Sequence, residues 1–117
     1  MKKFKTKDSG ERVTFETGMN RDVSDDKIRY DLIIPTDSED NMLIRWAALM
    51  SRGAQKYGHR NWEKSRTQEE LDRFRESAIR HFFQWYFEED DEDHAAACYF
   101  NIQGVEYVKR RMRLAKK

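Results

Sequence analysis

The sequence contains little cysteine, proline or glycine, and it has no long hydrophobic run. A single cysteine, Cys98, excludes an internal disulfide, and its apolar neighbours predict a small core residue in a reducing compartment. One proline and five glycines in 117 residues favour long helices. No apolar stretch approaches the roughly 20 residues of a membrane helix, and the N-terminus lacks the apolar segment of a signal peptide. We therefore expect a cytoplasmic protein with no membrane partner.

An excess of charge of one sign is also missing. The 23 Lys and Arg residues nearly balance the 22 Asp and Glu residues, for a formal net charge of +1. This balance gives no global attraction to nucleic acid, which we do not expect as a partner. Charge is concentrated locally instead, as six consecutive acids at 88–93 and six bases among residues 109–117. Such opposite patches in one small domain favour contacts within or between subunits.

The length suits one domain, which divides by pattern into an arm and a helical part. Residues 1–37 show no sustained periodicity and predict an extended N-terminal arm. Within it, RVTF is a candidate short strand, and RYDLIIP is an extended apolar run that would dock on the helices or on a neighbouring subunit. Residues 38–117 form the expected helical domain, which would carry the functional site.

The apolar periodicity of this second part predicts an all-α fold with three main helices. The expected helices cover about residues 39–57, 67–87 and 92–113. The first would be capped by Ser38, and the second begins with a capping box formed by Thr67 and Glu70. The third follows the acidic run, whose carboxylates favour a helix N-terminus.

The second helix is apolar on two faces. One stripe contains Leu71, Phe74, Ala78, Phe82 and Trp85. The opposite side contains Ile79, Phe83 and Phe87. A helix with two apolar faces lies between two layers, so we expect an oligomeric helical bundle, a dimer or tetramer, unless the arm folds over the second face.

The segment KYGHRNWEKS follows the first helix and combines cationic with aromatic residues around Gly58, which suits a helix end. The two bases can bind phosphate oxygens, the aromatic rings can stack on a base, and the asparagine can contact a base edge. The candidate substrate-binding residues of this loop are Lys56, Tyr57, Arg60, Asn61 and Trp62. The alternative interpretation is a capped helix followed by a solvated loop.

Two helices carry further candidates for chemistry. On the second helix, Glu76 and Arg80 share the face of Phe83 and would be partly desolvated, or they form an ordinary exposed ion pair. His81 points to a third side of that helix.

On the third helix, His94 and Asn101 are two turns apart, and Asp90 joins them in an inward polar column if the helix starts early. The alternative for His94 is a bond to neighbouring backbone. The acidic run is a candidate site for a hard cation or a solvated turn. Three scattered histidines and one cysteine show no zinc pattern.

Four segments of the sequence resemble a known family. These segments are DKIRYDLI, RWAALMSRGAQKYGHRNWEK, ESAIRHFFQW and DEDHAAACYFN, and the likeness covers about residues 18–110. The family consists of phage-encoded and bacterial dATP/dGTP diphosphohydrolases, which are relatives of the MazG-like all-α NTP pyrophosphohydrolases. The resemblance implies a helical enzyme that uses Mg²⁺ or Mn²⁺ and cleaves a dNTP between the α- and β-phosphates, giving dNMP and pyrophosphate.

The sequence departs from the MazG-like pattern at one point. Those enzymes carry E-x-x-E on one helix and E-x-x-D on the next. The second helix here offers Glu76 with Arg80 and His81 instead of two glutamates, and the E-x-x-D motif occurs only inside the acidic run. Either the metal cage is rearranged, or the protein binds nucleotides without cleaving them. For a rearranged cage the candidate ligands are Glu76, Glu89, Asp90 and Asp93. The catalytic candidates are Glu76, Arg80, His81 and His94, and Asn101 is a further substrate-binding candidate.

Overall fold

The computed structural model describes residues 3–23 and 26–116 and contains two compact units, Met1–Ile33 and Ile34–Lys117. The last base of the C-terminal tail, Lys117, lies outside the described residues. Within the described part, no helix has both the length and the apolar character needed to cross a membrane.

The first unit contains a small antiparallel hairpin. Strand β1 (Arg12–Thr14) pairs with β2 (Asn20–Asp22), so the short strand predicted at RVTF is confirmed in part. The hairpin turn closes where the amide of Gly18, at φ 89, donates to the carbonyl of Phe15 at 2.8 Å. The RYDLIIP prediction was wrong, because Tyr30–Ile33 forms a 3-10 turn instead of an extended run.

The second unit contains the three expected helices. They are α1 (Met42–Tyr57), α2 (Gln68–Tyr86) and α3 (His94–Ala115), and a short 3-10 helix, Asn61–Lys64, connects α1 to α2. The prediction of three main helices is therefore confirmed, and the two-stranded hairpin of the first unit is an addition to the all-α class.

Helix α1 begins later than the sequence pattern predicted. Asp40 has a positive φ of 37°, which interrupts helical geometry before the helix starts. Asn41 is the N-cap, because its side-chain oxygen accepts from the amide of Ile44 at 2.9 Å. The prediction of Ser38 as the cap was wrong. Gly58 ends the helix as expected, with a φ of 94°.

Capping side chains mark the first residues of α2 and α3. The capping box of α2 is confirmed, since Thr67 and Glu70 each accept the other's backbone amide. Helix α3 begins at His94 rather than at 92, because Asp93 is the N-cap and accepts from the amide of Ala96 at 3.1 Å. The acids 88–92 therefore precede the helix.

Helix α2 packs along α3, and α1 packs mainly against α3. The core consists of Leu71, Val105 and Val108. Gly104 of α3 lets the two helices come close beside the Phe74 ring, and Ala96 and Ala97 are also buried on α3. Cys98, predicted as a small core residue, is only half-buried. Its thiol donates to the carbonyl of Ala78 at 3.4 Å, and burial raises the pKa of the thiol.

The face that α2 buries differs from the predicted stripe. Phe82 and Trp85 remain 46% and 52% exposed, whereas His81 is buried with Leu71 and Ala78. The first half of the predicted stripe is confirmed, since Leu71 and Ala78 are buried and Phe74 packs against the core. Its second half was wrong, because beyond Ala78 the side chain that meets α3 is that of His81. The opposite set, Ile79, Phe83 and Phe87, is also exposed in the chain.

A substitution at Gly104 of α3 tests how closely α2 and α3 pack. A Cβ at this position would lie 2.5 Å from Cδ1 of the Phe74 ring, so the ring must shift. We expect Gly104→Ala to lower the free energy of unfolding by about 1–2 kcal/mol, because overpacking exceeds the gain in helix propensity. The matched control is Gly53→Ala in α1, which meets no atom within 4 Å and should raise stability by up to about 1 kcal/mol. Urea denaturation measures both, and equal effects would contradict the close packing.

Candidate functional site

One pocket brings the predicted substrate-binding residues together. It has a volume of about 400 Å³ and lies between the C-terminal half of α1, the following loop, one residue of α2 and the first half of α3. This size suits a small-molecule ligand. Its lining includes all six candidates, Lys56, Tyr57, Arg60, Asn61, Trp62 and Asn101. The buried His81 also lines this pocket.

The loop after α1 is packed against α3 and is not merely a solvated connection. Gly58 and Arg60 both have positive φ, which reverses the chain and starts the 3-10 helix. The Trp62 ring lies edge-on to Tyr107 with centroids 5.0 Å apart. The Tyr107 hydroxyl donates to the carbonyl of Glu63 at 2.6 Å, so a side chain of α3 holds the loop in place.

The charge around the pocket is mainly positive. Its lining contains the cationic Arg52, Lys56 and Arg60, and the carboxylate of Glu92. The Lys56 ammonium lies 5.2 Å from the centre of the Tyr57 ring, and Arg60 forms an ion pair with Glu63 at 2.6 Å. Cations beside an exposed aromatic ring, here that of Tyr57, are suited to an anionic ligand that also has a planar part.

A chain of three hydrogen-bonded side chains lies behind the pocket. Nδ1 of His81 is 2.9 Å from Nδ1 of His94, and Nε2 of His94 is 2.7 Å from a carboxylate oxygen of Asp91. Both histidines are buried, whereas the Asp91 side chain is 64% exposed. The bond from His94 lowers the pKa of Asp91, and burial, together with the charge of Arg80, lowers the pKa of His81.

This arrangement corrects two sequence predictions. His81 does not point to a third side of α2, because that helix turns it toward α3. Asp90 does not continue the polar column of His94 and Asn101, since α3 begins only at His94 and the preceding residues are not helical. Asp91 contacts His94 instead, so the alternative of a backbone partner for the His94 ring is also wrong within the described residues.

Glu76 and Arg80 lie apart from the pocket lining. Both are exposed on α2, so their predicted partial desolvation was wrong for the single chain. The reason is again the orientation of α2, which leaves their neighbours Ile79 and Phe83 at the surface. Glu89 is exposed in the turn that follows α2.

Asp93 makes contacts that stabilise the fold. Arg45 of α1 donates to both of its carboxylate oxygens, at 2.9 and 2.7 Å, while the same carboxylate caps α3. The Arg45 bonds lower the pKa of Asp93. The pair joins α1 to the start of α3 and so keeps two walls of the pocket together.

The acidic candidates for a cation site have different surroundings in the structure. Among the described residues, the group with metal-ligand spacing is Asp91, Glu92 and His94, whose ligating atoms lie within 4.8 Å of one another. Mg²⁺ and Mn²⁺ prefer oxygen ligands, and both ring nitrogens of His94 already have partners. These residues therefore do not fit a magnesium cage. The predicted ligands Glu76, Glu89, Asp90 and Asp93 are not part of this group.

Three residues of the site were not singled out from the sequence. Arg52 precedes Lys56 by one helical turn, which is a signal that could have revealed it. Asp91 and Glu92 were seen only as members of an acidic run. Their contacts depend on where α3 begins, and the sequence pattern placed that start too early.

The three packed helices and this lining define a helical protein with a cationic, partly aromatic ligand pocket. The family model described as dATP/dGTP diphosphohydrolase, N-terminal, matches residues 17–116, and the chain belongs to this family. The family predicted from the four sequence segments is thereby confirmed. No curated protein and no solved structure matches the chain.

The Arg45–Asp93 pair gives a prediction about stability and pH. Asp93→Ala should lower the free energy of unfolding at pH 7 by about 2–3 kcal/mol, because it removes a helix cap and leaves Arg45 without its partner. Asp93→Asn keeps a capping side chain and should cost less. Because the pKa of Asp93 is lowered in the fold, its stabilisation is present above the unfolded value near 3.8 and disappears as pH falls through the folded value.

Thermal unfolding between pH 2 and pH 7 measures this effect. The matched control is Asp72→Ala, which removes an exposed ion pair to Arg75 and should change stability by no more than about 0.5 kcal/mol. An Asp93→Ala protein as stable as the Asp72→Ala protein would show that the Arg45 contact is unimportant.

Proposed function

We propose that this protein is a cytoplasmic enzyme that binds a deoxynucleoside triphosphate, dATP or dGTP, and hydrolyses it to dNMP and pyrophosphate. The observation that carries the proposal is the meeting of six candidate substrate-binding residues in one pocket with His81. The description of the family supports the same substrate class.

The pocket offers separate groups for the two ends of a nucleotide. Arg52, Lys56 and Arg60 supply charge-assisted hydrogen bonds for phosphate oxygens. Tyr57 is 60% exposed, so its ring is available for stacking on a base, whereas the Trp62 ring is already packed against α3. These features support a nucleotide more than a simple anion.

Asn101 offers a hydrogen-bond acceptor for the base edge. Its side-chain NH₂ donates to the carbonyl of Ala97 at 2.8 Å, and its oxygen has no hydrogen-bond partner in the described ranges. This oxygen would accept from a base amino group in the pocket. Asn61, which is exposed on the loop, supplies a second amide.

We further propose that turnover depends on Mg²⁺ or Mn²⁺ delivered with the nucleotide. Such ions are commonly bound through substrate phosphates and few protein carboxylates. This proposal fits the absence of a preformed carboxylate cage among the residues that the structure describes.

A second candidate function is nucleotide binding without cleavage. It is favoured by one observation, which is that Glu76, Glu89, Asp90 and Asp93 do not gather into one metal-binding group. The same pocket would then hold the nucleotide, and no product would form.

We also propose that the protein is a homo-oligomer. An apolar groove of about 430 Å³ between α2 and α3 contains Ile79, Phe82, Phe83 and Ile102, and all four are about half exposed. Large apolar patches on a chain mark interaction sites, and a second copy is the occupant that the two apolar faces of α2 favour. A stable monomer in light scattering at micromolar concentration would contradict this proposal.

The turnover experiment separates the two functions. Purified protein is incubated with each dNTP and NTP and Mg²⁺, with EDTA in a parallel sample, and the products are separated by ion-exchange chromatography. We expect dNMP and pyrophosphate from dATP or dGTP, and no product with EDTA. Binding with recovery of intact nucleotide would support sequestration instead, and release of inorganic phosphate alone would exclude cleavage between the α- and β-phosphates.

Arg60 tests the nucleotide pocket. Arg60→Ala should weaken nucleotide affinity by about 10- to 100-fold, because one charge-assisted contact contributes about 1.5–3 kcal/mol. The charge-matched control is Lys64→Ala, which removes a positive charge from the 3-10 helix that follows Arg60. Lys64 lies outside the pocket lining, so its loss should leave affinity nearly unchanged. Calorimetry at fixed salt measures both. Equal losses would mean that only the overall charge of the loop matters.

A further inference from the structure

We propose that Asp91, His94 and His81 form a proton relay that presents an unprotonated Nε2 of His81 to the pocket. There, Nε2 of His81 accepts the proton of the water that attacks the nucleotide phosphate. The identity of the attacked group rests on the proposed function, whereas the relay rests on the hydrogen bonds of the chain itself.

The contact with Asp91 determines which ring nitrogen of His94 carries the proton. The carboxylate of Asp91 can only accept a hydrogen bond, and it lies 2.7 Å from Nε2 of His94. Nε2 of His94 must therefore be the donor. In a neutral imidazole the other ring nitrogen then has a lone pair, so Nδ1 of His94 is an acceptor.

The contact between the two histidines determines which ring nitrogen of His81 carries the proton. The two Nδ1 atoms are 2.9 Å apart, a distance that requires one proton between them. Since Nδ1 of His94 accepts, Nδ1 of His81 donates, and Nε2 of His81 has no proton. In the described part of the chain this Nε2 has no hydrogen-bond partner, nor is it one of the fully buried unpaired atoms. His81 is 8% exposed and lines the pocket, so this nitrogen is the polar atom that the ring offers to a ligand or water.

The surroundings keep His81 neutral until it receives a proton. Burial lowers its pKa, and the neighbouring Arg80 acts in the same direction. The charged or titratable groups around it are Arg80 of α2, Asp91 and Glu92 before α3, His94 of α3, and the pocket cations Arg52, Lys56 and Arg60. The carboxylates of Glu92 and Asp91 act in the opposite direction, but the pKa of His81 is lowered overall because burial and Arg80 have the larger effects.

The transfer conserves protons and charge. When water gives a proton to Nε2 of His81, the Nδ1 proton of His81 passes to Nδ1 of His94. The positive charge then lies on His94, whose Nε2–H still donates to the carboxylate of Asp91. The resulting hydroxide forms a bond to the α-phosphorus, and the bond from this phosphorus to the bridging oxygen breaks, so that pyrophosphate leaves with the electron pair. His81 is thus the catalytic base, and His94 and Asp91 are positioning residues.

A spectroscopic experiment tests the relay without any nucleotide. Long-range ¹H–¹⁵N correlation spectra of ¹⁵N-labelled protein at pH 7.5 report which ring nitrogen of each histidine carries the proton. The chain has three histidines, so His59→Gln, His81→Gln and His94→Gln assign the signals. We expect the proton of His81 on Nδ1 and that of His94 on Nε2. A proton on Nε2 of His81 in the neutral protein would overturn the proposal.

Asp91→Ala is the sharper variant, because its side chain is largely exposed and its loss should leave the fold intact. We expect the fixed proton position of His94 to be lost in this protein, which then shows a mixture of both tautomers at His94 and His81. Unchanged tautomers in Asp91→Ala would show that the carboxylate does not direct the relay, and would overturn the proposal.

A kinetic experiment tests the catalytic step. His81→Ala should lower kcat by about 10²- to 10⁴-fold with KM close to the wild-type value, because the base acts in the transition state. Free imidazole should restore part of the turnover by entering the space left in the pocket. Asp91→Ala should lower kcat less and shift its pH profile, whereas the control His59→Gln, outside the pocket lining, should be unaffected.

The outcomes separate this inference from the proposed function. If wild-type protein hydrolyses dNTPs and His81→Ala retains its kcat, the relay has no catalytic role while the proposed function stands. If wild-type protein shows the expected tautomers but no turnover, the catalytic role and the proposed function both fail. The tautomers would still show that His81 presents an unprotonated Nε2 to the pocket. If His81→Ala does not fold, the kcat and pH profile of Asp91→Ala decide, and wild-type values there would overturn the catalytic role.

Discussion

The close packing of α2 against α3 sets the geometry on which the other features of the helical unit depend. It depends on Gly104, which faces the Phe74 ring of α2, because a larger side chain there would separate the two helices. At this separation the rings of His81 and His94 have centroids 5.1 Å apart and share a hydrogen bond. A buried polar pair of this kind is tolerated because each ring nitrogen facing the interior has a partner.

Two further sets of contacts, in addition to the packing of α2 on α3, form the pocket. The Arg45–Asp93 contact joins α1 to the start of α3, and the aromatic contacts of Trp62 and Tyr107 hold the loop against α3. Together they place the cationic loop across from His81. The groups that support ligand binding and the group proposed as a base thus come from different elements, and each is held by packing outside the pocket.

Two acids of the run at 88–93 have separate roles in the structure. Asp93 stabilises the fold through Arg45 and the helix cap, while Asp91 contacts the buried His94. Asp91 and Asp93 therefore have different partners in the fold although they are only two residues apart. Acids that are adjacent in the chain point in different directions here, because Glu88 has a positive φ and the following residues form an irregular turn.

The sequence by itself determined the features that depend on neighbouring residues. These are the three helices, the capping box at Thr67, the helix end at Gly58 and the residues that give the loop its cationic and aromatic character. Only the tertiary structure decided which face of α2 is buried, because a helix with apolar residues on several sides can pack in more than one rotation. That rotation moved His81 to the interior and left Glu76 at the surface. The partner of His94 was equally undetermined, since it depends on the backbone angles of a turn that has no periodic signal.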